Sequence, residues 1–211
     1  TTTDTIGDTG TDTATVTIQN TAPVVSGVSI SPSTAYTNDS LVVSATTSDA
    51  DGDALTLTYD WYVDGVSVQS GTDTTLSGVT MFDKGQSVMV TVTADDGTNT
   101  ASGTSAAMTI QNTAPSAPVI SIDPEEPMPG TDDLVCLIDT ASSDDDGDAL
   151  TYTFDWDVDG TTWTGSTYTT YEAGDTIDGV DVGGEEEWTC EASADDGSVS
   201  SGSDSASVTS S

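Results

Sequence analysis

Ser48-Asp-Ala-Asp-Gly-Asp-Ala-Leu-Thr56 returns 95 residues later as Ser143-Asp-Asp-Asp-Gly-Asp-Ala-Leu-Thr151. Each copy runs into an aromatic segment ending Asp-Trp-Xaa-Val-Asp-Gly, from Asp60 to Gly65 and from Asp155 to Gly160. A repeat on this scale makes the chain a tandem array of one structural unit and not a single enzyme domain. Each unit also carries a loop dense in carboxylates, whose hard oxygens suit a hard cation.

The flanks of the repeated stretch set the local structure. Leu55, Leu57, Tyr59, Trp61 and Val63 fall on one side of an extended chain, as do Leu150, Tyr152, Phe154, Trp156 and Val158. Thr56, Thr58 and Asp60 fall on the other side, with Thr151, Thr153 and Asp155 in the second copy. Period-two alternation of this kind is a half-buried antiparallel strand. Two further repeats bound the unit: Thr-Ile-Gln-Asn-Thr-Ala-Pro at 17–23 and 109–115, and Ala-Asp-Asp-Gly at 94–97 and 194–197. A unit of roughly a hundred residues with such turns matches an immunoglobulin-like sandwich. The expected fold is all-β, with tandem immunoglobulin-like antiparallel β-sandwich domains at 21–112 and 113–211. Residues 1–20 begin no such unit. Their segment 12–18 parallels Ser105–Ile110 and Ser205–Thr209, and reads as the closing or donor-like strand of a preceding module.

Composition removes most catalytic options. There is no His, Lys84 is the only basic residue, and 37 acids give a formal net charge of −36. Imidazole bases and arginine clamps are absent, and Schiff-base chemistry is nearly so. Carboxylate-pair hydrolysis stays open, but an acidic surface accounts better for most of the acids, and the expectation is that the chain is not an enzyme. The charge argues against nucleic acid and anionic membrane surfaces as partners. No apolar run is long enough for membrane insertion. Residues 1–20 carry three acids, 21–112 carry ten and 113–211 carry twenty-four, so the modules are related without being interchangeable.

Both cysteines, Cys136 and Cys190, lie in the second module. In a reducing compartment they would be free thiols or metal ligands; in an exported protein they would form one disulfide. Cys136 precedes its aspartate loop by the spacing at which Leu41 precedes the first, and Cys190 precedes its Ala-Asp-Asp-Gly turn as Val90 does. That placement favours a bridge between sheets where the first module packs Leu41 against Val90, with Trp156 lying over it. Buried free thiols are the alternative.

Taken together, Ser-Asp-Xaa-Asp-Gly-Asp-Xaa-Leu-Thr, Trp-Xaa-Val-Asp-Gly and the segment Phe82-Asp-Lys-Gly-Gln-Ser-Val-Met-Val-Thr-Val-Thr-Ala-Asp-Asp-Gly97 resemble the Ig-like, PKD-like repeats of large prokaryotic surface proteins. The resemblance covers both modules. It implies stalks, spacers and adhesive or filamentous surface structures, often calcium-stabilised, at an extracellular or cell-surface location. Gly183-Gly-Glu-Glu-Glu-Trp188 departs from the Lys-Gly-Gln-Ser pattern and leaves the turn before that strand open.

In such a sandwich the loop after the second strand, the loop before the last strand and the incoming linker meet at one pole. For the first module this gathers Asn20, Asp49, Asp51, Asp53, Asp95 and Asp96. For the second it gathers Asn112, Asp144, Asp146, Asp148, Asp195 and Asp196. Calcium takes six to eight oxygens of these kinds, magnesium holds its waters, and zinc or copper would want His or thiolate. The loop is not an EF-hand, which needs Gly at its sixth position between helices. Asp and Gly also make good solvated turns with no ion at all. The expected role is a calcium-stabilised structural repeat of a surface stalk, adhesin or filament. Its partners would be neighbouring repeats or other copies of itself. The alternatives are a filament subunit polymerising by donor-strand addition, and a calcium-dependent module binding a glycan or another cell-surface ligand.

Overall fold

The structure, a computed structural model, describes residues 2–3, 9–10, 12–168 and 174–211. Strands β1 (Thr2–Thr3) and β2 (Thr9–Gly10) pair antiparallel. Residues 12–23 form no strand, and Val16 and Ile18 stand 80% and 82% exposed. The strand expected at 12–18 is therefore not formed within this chain. The edge of the first module on which a closing strand would lie is already held by that module's own last strands.

The first module comprises β3 (Val24–Ser31), β4 (Ser40–Ser48), β5 (Thr56–Val63), β6 (Val66–Gly71), β7 (Thr75–Ser77), one helical turn α1 (Gly78–Met81), β8 (Ser87–Asp95), β9 (Thr100–Thr104) and β10 (Met108–Thr109). One sheet runs β3-β4-β7 and the other runs β6-β5-β8, with both β9 and β10 paired to β8. Alternation builds the core: Val88, Val90, Val92 and Ala94 on β8 are all buried, against Trp61, Leu41, Val43 and Leu76. The repeated Val-Asp-Gly is a two-residue hairpin turn. Asp64 and Gly65 have φ of 49° and 78°, and Asp159 and Gly160 have 48° and 73°. Positive φ at both central residues is what a tight hairpin demands, and Asp-Gly supplies it cheaply.

The second module comprises β11 (Val119–Asp123), β12 (Leu134–Thr140), β13 (Thr151–Val158), β14 (Thr161–Thr162), β15 (Thr167–Tyr168), β16 (Gly174–Ile177), β17 (Glu187–Asp195) and β18 (Ser200–Thr209). Its sheets run β11-β12-β16-β15 and β14-β13-β17-β18. All its strand pairings are antiparallel, and the fold is two Ig-like β-sandwiches.

Cys136 on β12 and Cys190 on β17 are bonded, joining the two sheets across a core with Cα atoms 6.2 Å apart. Trp156 lies opposite Cys190 in the strand register, as Trp61 lies opposite Val90. Its indole Nε1 donates to the buried Asp175 Oδ2 at 3.2 Å. The match of Cys136 to Leu41 shifts by two residues. Leu41 pairs with Leu76, two residues before Gly78, and Leu134 pairs with Ile177, two residues before Gly179. Both glycines sit against a backbone, that of Asp39 and that of Asp132, where a Cβ would come within 2.7 Å. Leu134 thus takes the place of Leu41, and Cys136 that of Val43. Spacing to the aspartate loop misplaced the residue because the second module has two extra residues between strand and loop.

Candidate metal centres at the module poles

Each pole is assembled by the same hydrogen bonds. In the first, Asp49 Oδ1 accepts from the amides of Asp51 (2.8 Å) and Asp53 (3.3 Å), which folds the loop around one carboxylate. Asp51 Oδ2 accepts from the linker amide of Thr21 at 2.6 Å. Asn20 Nδ2 donates to Asp96 Oδ2 at 3.0 Å, and Asp96 Oδ1 accepts from the amides of Thr98 and Asn99. In the second, Asp144 Oδ1 accepts from Asp146 (2.9 Å) and Asp148 (3.2 Å), and Asp146 Oδ2 accepts from Thr113 at 2.6 Å. Asn112 Nδ2 donates to Asp196 Oδ2 at 2.8 Å, and Asp196 Oδ1 accepts from Ser198 and Val199. Linker, aspartate loop and Asp-Asp-Gly turn meet at both poles.

The sequence-derived residues divide on closer view. Asp49, Asp51 and Asp53 bring carboxylate oxygens within 4.8 Å of one another, as do Asp144, Asp148 and Asp196. Asp95 and Asp195 instead turn onto their own loops, accepting from Gly97 at 2.7 Å and Gly197 at 2.8 Å. Asp195 takes a second bond from Ser200 Oγ at 2.7 Å. Asp146 accepts from the linker amide of Thr113, and Asp96 joins its own turn, through Thr98 and Asn99, to the linker residue Asn20. Two oxygens are left over: Asp49 Oδ2 and Asp144 Oδ2 are buried and have no hydrogen-bond partner. A buried carboxylate oxygen without a donor is costly, and a cation is its natural complement. The donor set is all oxygen, since both thiols are bonded to each other. It therefore fits calcium and not zinc or copper.

Electrostatics follow the bonding. Asp96 is held below the usual carboxylate range, first by the Asn99 amide and then by Asn20. Asp196 is held low first by Asn112, then by the amides of Val199 and Ser198, with the Lys84 charge adding.

Lys84 is the side chain at the second pole to which sequence reasoning gave no role. Its Nζ donates to Asn112 Oδ1 at 3.0 Å and pairs with Asp148. Its pKa is raised, mainly by that bond to Asp148. The signal was available: it is the only basic residue of the chain, in the very segment where the second module departs. That departure leaves the turn itself intact. Asp83 N donates to Gln86 Oε1 at 2.8 Å, and Gly183 N donates to Glu186 Oε2 at 2.8 Å. Gly85 bonds to Ile110 O, and Glu185 to Ser210 O. Gly184 stands where Lys84 does.

No protein-family model matches the chain, and no curated protein matches it. Among solved structures it is similar to the adhesin InvE of Yersinia pseudotuberculosis, at 16% identity and a TM-score of 0.31, over 87% of this chain and 58% of that one. It is also similar to fibronectin-type domains of chicken CNTN1, at 11% identity and 0.35, over 91% and 67%. The immunoglobulin domains 1–5 of Sidekick-1 give 14% identity and 0.36, over 92% and 40%. No helix among the described residues is long and apolar enough to cross a membrane.

Proposed function

We propose that the chain is a structural, calcium-stabilised repeat segment of an extracellular surface stalk, adhesin or filament, of the prokaryotic PKD-like kind its motifs resemble. The observation that carries this reading is the convergence at each pole of linker, aspartate loop and Asp-Asp-Gly turn around a buried, partnerless carboxylate oxygen. A cation seated there would tie the linker to the module and remove hinge freedom, which is what a stiff spacer needs. The disulfide supports an oxidising, extracellular setting. A second reading, donor-strand addition to another unit, is favoured by the exposed Val16 and Ile18.

The test is thermal unfolding with calcium, with magnesium and at matched ionic strength. A ligand bound only to the folded state adds about 2.7 kcal/mol at a hundredfold its Kd. Calcium should raise the melting temperature of the first module, magnesium should do so less, and Asp49→Asn should remove the gain. If millimolar calcium does no more than ionic strength, the loops are acidic turns and the calcium reading fails.

A further inference from the structure

We propose that Lys84 is a tethered cation of the second pole: its ammonium binds at the edge of the three-carboxylate cluster, on Asp148, and holds the joint between the two modules without metal. The two poles share their hydrogen-bond frame residue for residue, but an ammonium enters only the second. Lys84 Nζ bonds Asn112, the linker residue, and pairs with Asp148, a member of the three-carboxylate cluster with Asp144 and Asp196. One side chain of the first module thereby ties the linker to a loop of the second.

A surface lysine that happens to lie near acids would be the plain explanation, and the repeat argues against it. The turn that presents Lys84 does not need it. Lys84 N donates to Thr37 Oγ1 at 3.0 Å, buried Phe82 anchors the turn, and the equivalent turn forms with Gly184 in its place. The side chain is free of structural duty to its own module. Its long aliphatic stem carries the charge across the boundary to the acidic cluster of the second module. Asp144, Asp146 and Asp148 are all half-buried and Asp196 is buried. Under that cover the charge is less screened by water. A calcium ion entering the second pole would have to expel Nζ from Asp148, since two cations in one such cluster repel each other. In this chain the second pole is therefore served by an ammonium of its own, and the first has none bonded to it among the described residues. The metal half of this inference rests on the calcium reading above, while the joint half does not.

The experiment compares the wild-type chain with Lys84→Met and, as an independent variant from the other side, Asp148→Asn. Residual dipolar couplings in chelator report whether the modules share one alignment, and calorimetric titration with calcium gives the stoichiometry. Wild type should show one shared alignment in chelator and bind one calcium per chain. Lys84→Met should let the modules reorient independently in chelator, and should bind two calcium ions, the second restoring the shared alignment. Asp148→Asn should also loosen the joint, with each module's amide spectrum still folded. If no variant binds calcium but both loosen the joint, the latch stands and the calcium reading alone falls. A wild-type stoichiometry of two, or variants that keep the wild-type alignment in chelator, overturns the proposal.

Discussion

The two poles of this molecule use one frame to reach different electrostatic ends. At the first, Asp49, Asp51 and Asp53 crowd their oxygens together beside the Asn20–Asp96 bond, and no ammonium is bonded to them among the described residues. At the second, Asp144 and Asp148 gather instead with Asp196 of the Asp-Asp-Gly turn, which Asn112 also bonds, and Lys84 reaches in from the preceding module. The difference teaches that convergence of acids recurs with the fold, while the ammonium at the second pole comes from the module before it. A module with Lys at the turn can supply the charge for the next one, and a module with Gly184 there cannot. The cores show a similar divergence. The first is held by packing alone, with Leu41, Val43 and Val90 in contact across the sheets, whereas the second replaces Val43 and Val90 with a bond.

The largest effect that would sharpen this comparison concerns that bond. The disulfide closes a sequence separation of 54 residues, and a loop of that length stabilises by about 4 kcal/mol in the chain-entropy picture. Replacing Cys136 and Cys190 together by Ala should cost the second module roughly that amount, with a further loss from the small cavity. The first module should change by less than about 0.5 kcal/mol, because distant sites act independently. Hydrogen exchange resolved by residue in mild denaturant measures both modules at once. Equal weakening of the two would break the comparison and show that they unfold as one unit through the Lys84 joint.

Much of this was legible in the chain. Alternation around Trp61 and Trp156, the Asp-Gly turns and the paired seams specify strands, hairpins and a sandwich, because each is a local steric or burial requirement. The convergence of Asn20, Asp51 and Asp96 was legible from topology alone. What was not legible depends on side-chain direction and on small offsets. Asp95 and Asp96 are adjacent in sequence and both cap their own turn, yet only Asp96 also binds the linker. The two extra residues before Asp144 lie between strand and loop, where spacing cannot reveal them. Lys84 lies 64 residues from Asp148, a pairing that exists only once two modules stack. The segment 12–18, read as a strand belonging with another unit, forms no strand on the described residues.

A smaller effect separates the poles by pH. Asp96 and Asp196 both have depressed pKa values, so the stability they contribute is present above the ordinary carboxylate value of about 4 and is lost as pH falls through the lower folded value. Acid should therefore weaken both modules at their poles. Lys84 is shifted the other way: its contribution is complete below the ordinary lysine value of about 10.4 and is lost as pH rises through the raised folded value. Base should accordingly loosen only the joint and the second pole. Amide exchange of Thr21 and Thr113, each bonded to a pole aspartate, reports the two sites in parallel in chelator. An alkaline limb at Thr21 equal to that at Thr113 would mean that Lys84 does not set the poles apart.

The smallest expected effect is on stability, and it concerns the segment that belongs to neither sandwich. Residues 12–18 form no strand, and Val16 and Ile18 keep four fifths of their surface in water. The edge of β8 is occupied by β9 and β10 of the same module. Removing residues 1–18 keeps Asn20 and Thr21, and with them both linker bonds of the first pole. The unfolding free energy of the first module should therefore move by no more than about 0.5 kcal/mol, the range of surface changes that touch no packed or capped feature. Association is where the segment should matter. Two exposed β-branched residues at period two, with backbone groups outside any sheet, are a template for pairing with another chain. Sedimentation of the full chain at rising concentration should show self-association that the deletion abolishes. A deletion that lowers the first module's stability by a kcal/mol or more would instead place the segment on its own sandwich, and the donor-strand reading would have no strand to give.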